Sequence, residues 1–416
     1  MKPGVVIIGA GHGGSQAAVS LRQEGYAGAI TLIGAEHGYP YHRPPLSKAF
    51  LKDGDGRLQP LRGDGVYESS SIDYRPGARV RRIDLEMRNC VLDDGEIAFD
   101  ELILATGAVS RTPDIEGIGL AGVFALRTAV DARGIKQHMA QAESVVIVGG
   151  GFIGLETAAT MAASGKRVTV LEIGERLLAR AVSPVVSAHV LSRLTQGGVE
   201  VRFGTQARAF AGDEAVRAVL TVTGETIAAD MVIVGIGADP DVALAVEAGL
   251  AVDAGIVADD LLRCSASGVY AIGDCVRFPH WQLGQPVRLE SVQNATDQAR
   301  HVAGVIMGKS DPYRAVPWFW SDTADMKLQM VGLSANADRH LVAGDPAGGA
   351  FAVYHFRRDR LVAIDTINRP ADHMLGRKMI AAGYTPDEAD IHAGRVSDAF
   401  RTWASEAGAD GSRRVA

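Results

Sequence analysis

Along the chain, hydrophobic residues gather in short apolar runs that end on glycines, and two of these runs are near copies of one another. Val5–Ile8 leads into Gly9, Gly11 and Gly14, and Val145–Val148 leads into Gly149, Gly151 and Gly154. After each turn the pattern becomes helical, "SQAAVSLRQEG" in the first case and "LETAATMAASG" in the second, and a further apolar strand follows, "AITLIG" and "RVTVL". Strand, glycine turn, helix and strand in that order predict a βαβ unit twice over. An acid, Glu36 and then Glu172, stands about 20 residues beyond the last glycine of each unit, where a dinucleotide-binding turn places its ribose carboxylate.

Physical chemistry explains these residue types. Glycines let the main chain approach a pyrophosphate, free N–H groups at the helix start meet its charge, and the distal carboxylate accepts hydrogen bonds from ribose hydroxyls. One GxGxxG turn is weak evidence, but two with matching context predict two nucleotide sites in one chain. The runs "DELILATGAVSRTP" (100–113) and "ADMVIVGIGADPD" (229–241) also rise through a strand into a glycine turn, and read as crossings between domains. "GVYAIGDCVRF" (268–278) ends its strand on Gly273-Asp274, where the acid either caps a helix or reaches a polar ligand. Beyond Pro317 the β-like runs "KLQMVGL", "AFAVYHF" and "LVAIDTI" precede helix-like "DHMLGRKMIAAG", which predicts a small α+β domain, and "GADGSRRVA" reads as a frayed tail. The expected class is therefore α/β, with two Rossmann-like domains and a small α+β C-terminal domain.

Composition narrows the function. A chain of 416 residues, 47% hydrophobic and 22% charged, accommodates two or three ordinary globular domains. No apolar run nears the roughly 18 residues of a membrane span, and the N-terminus enters a strand without a signal-peptide layout, so no membrane partner and a cytoplasmic location are expected. The net charge of −7 offers no general attraction to nucleic acid, and the basic "RVRR" at 79–82 reads as a solvated strand edge. Cys90, Cys264 and Cys275 form no CxxC pair and read as reduced thiols; no metal site is expected.

Taken together, the motifs "GAGHGG", "YHRPPLSKAFL", "ILATGAVSRTP", "ALRTAVDA", "VVIVGGGFIGLETAA", "GIGADPD", "VYAIGDC", "RLESVQNATDQARHVAG", "PWFWSD" and "AIDTINRPADHMLGRK" span nearly the whole chain. It resembles the FAD-dependent, NADH-using ferredoxin reductases of bacterial cytochrome P450 and Rieske oxygenase systems, the putidaredoxin reductase-like family, with "ESVQNATDQA" and "PWFWSD" nearer the P450-serving branch. The resemblance implies an FAD domain (1–108 and 237–315) interrupted by an NAD domain (109–236) and followed by a C-terminal domain (316–416). It also implies hydride transfer from NADH to flavin N5, then two one-electron transfers to a [2Fe-2S] ferredoxin.

Residue roles follow from the same resemblance. Gly9, Gly11, Gly13, Gly14, Glu36 and Arg43 are expected to bind FAD with Lys48, Val80, Thr106, Gly107, Arg127, Gly273, Asp274, Ser291, Val292 and Trp320. Some relatives carry the ribose acid one position earlier, where this chain has Ala35. Gly149, Gly151, Ile153, Gly154, Glu156, Glu172 and Gly237 are expected to bind NADH. Lys48, Glu156 and Trp320 make up the expected catalytic set: the lysine beside the flavin ring tunes its electronics, with Glu156 as its partner. Glu172 favours NADH by repelling a 2′-phosphate, although Arg176 and Arg180 are long enough to reach one. Trp318 and Trp320 alternate on an extended segment, so both point to one face, and with Arg300 they are expected to meet an acidic ferredoxin. Monomer and homodimer both remain open.

Related flavoproteins pass electrons to a cysteine pair or single cysteine, but residues 37–60 contain none. Disulfide and peroxide chemistry are therefore not expected. A rubredoxin reductase or an NADH oxidase on the same scaffold is the alternative among enzymes. A non-enzymatic, NADH-sensing flavoprotein is the alternative outside them.

Overall fold

The computed structural model describes residues 3–52 and 55–413. They form two compact units, Met1–Arg111 with Leu126–Arg133 and Gly237–Ala315, and Thr112–Ala125 with Gly134–Ile236 and Val316–Ala416. Two of the chain divisions, after Arg111 and after Ile236, fall inside the glycine-turn runs 100–113 and 229–241.

The first unit is built on a parallel sheet with strand order Val269–Ala271, Glu101–Leu104, Val5–Ile8, Ile30–Gly34, Ile72–Pro76. Val5–Ile8 is buried at every position, which is why it reads as a continuous apolar run rather than an alternation. The helices His12–Gln23 and Val292–Ile306 pack against one another. An antiparallel sheet of Val80–Asp84, Asn89–Leu92 and Gly95–Ala98 joins the same core. In it Arg81 pairs with Asp93 and Arg82 with Asp84, so the basic run is a solvated, ion-paired strand edge.

In the second unit a parallel sheet runs Val199–Phe203, Arg167–Glu172, Ser144–Val148, Met231–Val234, Val123–Ala125. The C-terminal segment forms a five-stranded antiparallel sheet ordered Trp318–Thr323, Met326–Gly332, Arg360–Ile367, Ala350–Arg357, Arg339–Asp345. The helices Pro370–Ala382 and Val396–Arg413 follow the sheet. The last of these is helical as far as Arg413, where the sequence suggested a tail, and residues 414–416 lie outside the described residues. Arg339–Asp345 escapes the sequence pattern because it is an edge strand, exposed at both ends and paired on one side.

Within this unit the C-terminal sheet is fastened to the part built on the parallel sheet. Helix Pro184–Gln196 is capped by Ser183, whose hydroxyl accepts from the Val186 N–H and whose own N–H donates to buried Asp365 at 3.4 Å. Asp365 also meets His355 Nε2 at 2.8 Å, and Arg193 of the same helix pairs with Asp325.

Candidate functional site: two dinucleotide turns

Each turn is built from what its backbone permits. Gly9 has φ +105°, and a Cβ there would collide with the Ala105 carbonyl. A Cβ on Gly14 would collide with the Gly9 carbonyl, so this glycine lets the helix close onto the strand. Around Gly11 nothing lies within 4 Å, and as N-cap it supplies no side-chain hydrogen bond to the helix His12–Gln23, whose first turn carries no acid. The result is an open cradle above uncapped N–H groups, the arrangement that receives a phosphate.

Two histidines and two arginines, His12, His42, Arg43 and Arg127, stand near this turn. Burial pushes the His12 imidazole down to about 4, and nearby His42, Arg43 and Arg127 push the same way. Among the described residues His12 Nε2 is buried without a hydrogen-bond partner. A neutral ring with an unused nitrogen beside two arginines and a helix start suits an anionic ligand with oxygen acceptors. These features fit FAD.

Other predicted residues take their places in the same unit. Glu36 accepts from Arg43 at 2.6 Å on one oxygen and from the Tyr41 hydroxyl at 2.5 Å on the other, which leaves a further lone pair on each oxygen. Tyr41 in turn accepts from the Ala129 N–H at 2.8 Å, and burial raises its hydroxyl to about 12. Arg127 donates to Asp274 at 2.8 Å and to the Ala108 carbonyl at 3.0 Å, while Asp131 caps the Arg127 and Thr128 N–H groups and fixes this segment. Gly107 has φ +76°, and its Cβ position lies 3.7 Å from the Arg127 guanidinium. Thr106 donates to the Asp241 carbonyl at 2.6 Å, and the Gly273 N–H to Gln298 at 2.7 Å. Ser291 caps the helix that Val292 begins, accepting from the Asn294 N–H at 3.0 Å, and Gly13 packs close to that helix at Ala295 and to Ile272. Lys48 closes the 3₁₀ turn Pro44–Ser47, its ammonium donating to the Pro44 carbonyl at 3.2 Å. Val80 is packed in the core, and Arg300 is exposed and pairs with Asp297 at 2.6 Å.

The second turn repeats the first. A Cβ on Gly149 would collide with the Gly235 carbonyl and one on Gly154 with the Gly149 carbonyl, while around Gly151 nothing lies closer than 3.9 Å. Gly151 starts the helix Phe152–Ala163 without a side-chain cap, and Ile153 stands exposed in its first turn. Glu172 accepts from the Gly150 N–H and the Gly174 N–H, both at 2.7 Å, one on each oxygen. Arg176 is spent on its own loop, donating to the Val182 carbonyl at 2.8 Å and the Ala179 carbonyl at 2.6 Å, whereas Arg180 is exposed. The cradle fits a second dinucleotide. Gly237, expected with this set, belongs to the first unit, where its carbonyl accepts from the Arg111 N–H at 3.0 Å.

Glu156 is buried on the same helix and accepts from the Ser321 hydroxyl at 2.7 Å. Trp318 and Trp320 do share a face, with ring centroids 5.6 Å apart, and Arg377 lies over Trp318 at 4.9 Å.

The match to the pyridine nucleotide-disulphide oxidoreductase model runs over residues 3–299, and a reductase C-terminal model matches 318–397. The chain belongs to the pyridine nucleotide-disulphide oxidoreductase family. It is an FAD-dependent oxidoreductase fed by NAD(P)H. Rhodocoxin reductase of Rhodococcus erythropolis is 45% identical over 390 residues, 92% of this chain and 91% of that one. A rubredoxin-NAD(+) reductase of Pseudomonas putida is 40% identical over 369 residues, 88% and 96% of the two chains. Among solved structures, the ferredoxin reductase for the CYP199A2 system from Rhodopseudomonas palustris matches with TM-score 0.92 at 40% identity, covering 94% of this chain and 97% of that one. The covalent putidaredoxin reductase–putidaredoxin complex matches with TM-score 0.88 at 38% identity, covering 92% and 94%.

The family's disulphide chemistry has no counterpart in the thiols of this chain. Cys90 and Cys275 are buried and Cys264 half-buried, and burial raises all three, Cys90 to about 12. They stay protonated and unreactive at neutral pH. Among the described residues no cluster of His, Cys, Asp and Glu is arranged to hold a metal, and no helix is long and apolar enough to cross a membrane.

Proposed function

We propose that this protein is the NADH-dependent reductase of a [2Fe-2S] ferredoxin that supplies a cytochrome P450 or Rieske oxygenase. The observation that carries the reading is the pair of uncapped dinucleotide turns joined, in one chain, to a C-terminal reductase domain. Bound FAD supplies the conversion between a two-electron donor and one-electron acceptors. The chain's own residues bind and orient. Gly9, Gly11 and Gly14 with Arg43 and Arg127 receive the FAD phosphates, Glu36 the ribose and Asp274 the polar chain. Gly149, Gly151 and Gly154 receive the NADH phosphates. Glu172, already fixed by two N–H groups, keeps one lone pair on each oxygen for ribose hydroxyls and repels a 2′-phosphate, which favours NADH over NADPH.

The roles of Lys48, Glu156 and Trp320 beside the flavin belong to this proposal and rest on the family resemblance, as do the segment boundaries at 108, 236 and 315 and a cytoplasmic location. So does a ferredoxin surface comprising Arg300, Trp318 and Trp320, supported by the exposure of Arg300 and the cation over the tryptophan face. Complementary charge there acts mainly on the association rate. Arg300→Glu is expected to slow ferredoxin reduction about tenfold at low salt, an effect that fades as salt rises, with NADH oxidation by ferricyanide unchanged.

The deciding experiment is anaerobic NADH oxidation by the FAD-loaded protein with and without an oxidised [2Fe-2S] ferredoxin. Many turnovers per second with bleaching of the ferredoxin support the reading. Turnover with a rubredoxin or with oxygen alone, and none with any [2Fe-2S] ferredoxin, overturns it.

A further inference from the structure

The helix of the second glycine turn and the first strand of the C-terminal sheet run in matched register. Phe152 meets Phe319, with ring centroids 4.7 Å apart, and Glu156 meets Ser321 at 2.7 Å. Four helical residues rise about 6 Å and two strand residues about 6.7 Å, so a helix face read at i, i+4 stays in step with a strand face read at i, i+2. The Trp318 and Trp320 rings occupy the other face of this strand. The contact is dry: Glu156 is 4% exposed and Ser321 2%.

A hydroxyl has one proton to give. With Ser321 donating to Glu156, its contact with the Thr323 hydroxyl at 3.3 Å is left with Thr323 as donor. Thr323 is buried as well. The three side chains thus form a directed chain, Thr323 to Ser321 to Glu156, in which each hydrogen bond polarises the next. A donor on a rigid strand fixes which way the carboxylate's oxygens point.

We infer that Ser321, backed by Thr323, is a positioning residue that orients the Glu156 carboxylate for electron transfer from the nicotinamide to the flavin. The C-terminal domain thereby supplies part of the NADH-oxidising apparatus in addition to a partner surface. The inference rests on the reading of Glu156 as a residue of the reacting centre.

The test uses FAD-loaded wild type, Ser321→Ala, Thr323→Val, Glu156→Gln and the double variant Ser321→Ala/Glu156→Gln, mixed rapidly with NADH without oxygen. Ser321→Ala is expected to lower the limiting rate of flavin reduction about tenfold, the effect of one lost hydrogen bond to a charged group. Half-saturating NADH and calorimetric NAD+ affinity should stay within about twofold, because the glycine turn and Glu172 hold the remote end of the dinucleotide. Thr323→Val should lower the rate less, in the same direction. With Gln at 156, Ser321→Ala should cost nothing further. An equal cost in both backgrounds, or a rate and an affinity that fall together, overturns the inference. If wild type is not reduced by NADH at all, the functional reading has failed and the inference falls with it; if wild type is reduced, urea unfolding of the same four proteins of the cycle must also show coupling between 321 and 156, and additivity there overturns the inference alone.

Discussion

At residue scale, Glu172 is a carboxylate that holds its own turn together and, in the proposed reading, a ribose as well. It ties Gly150 to Gly174 through both oxygens, so removing it loosens the loop as well as deleting the proposed ribose acceptor. Glu172→Ala is expected to weaken NAD+ binding about tenfold while leaving NADP+ binding unchanged or stronger, measured by calorimetry on the FAD-loaded protein. Arg176 was ambiguous as a letter in the sequence, since its reach allowed a phosphate contact; its acceptors turned out to be carbonyls of its own loop, which no spacing rule reveals. Tyr41, His12 and Asp131 were missed as well. His12 acts through burial and Tyr41 reaches 88 residues to the Ala129 N–H, whereas Asp131 caps N–H groups three and four positions before it, a local signal that the apolar pattern does not carry.

At the scale of elements, the two glycine turns separate packing from binding. Gly14→Ala places a methyl against the Gly9 carbonyl and is expected to lower the yield and melting temperature of the whole protein. Gly11→Ala meets nothing within 4 Å, so the fold should survive with its melting temperature nearly unchanged while FAD retention after dialysis falls. Equal destabilisation by the two would show that the space above Gly11 is not kept for a ligand. Both turns and their strands were legible because burial on both faces leaves an unbroken apolar run, yet both helices begin three residues before the apolar periodicity, at His12 and Phe152. At the first helix, Gly13 and Gly14 carry no hydrophobic signal. The edge strand Arg339–Asp345 was illegible because exposed ends show no alternation.

At the scale of the whole molecule, imidazoles buried without charge set an acid limit. Burial pushes His12, His280 and His373 each down to about 4, from an ordinary value of 6.5. In the unfolded chain these rings take up protons as pH falls through 6.5, whereas in the folded chain they do so only near 4. Stability is therefore fully present above about pH 6.5 and declines between 6.5 and 4, by at most roughly 3 kcal/mol for each ring. Urea midpoints at pH 7.5, 5.5 and 4.5 should fall in that order, and His280→Gln should flatten the slope. A midpoint unchanged between pH 7.5 and 4.5 would contradict this account.

The sequence by itself determined the two dinucleotide turns, the strands that carry them, the acids behind them and the absence of a thiol acceptor in residues 37–60, because glycine geometry and two-sided burial are written locally. Only the tertiary structure decided what holds those residues in place. Arg127 is gripped by Asp274, 147 positions away, and Glu156 by a serine 165 positions away. Side-chain hydrogen bonds depend on distances that close only when strands and helices from remote parts of the chain pack together, and no local pattern of hydrophobic and polar letters records them.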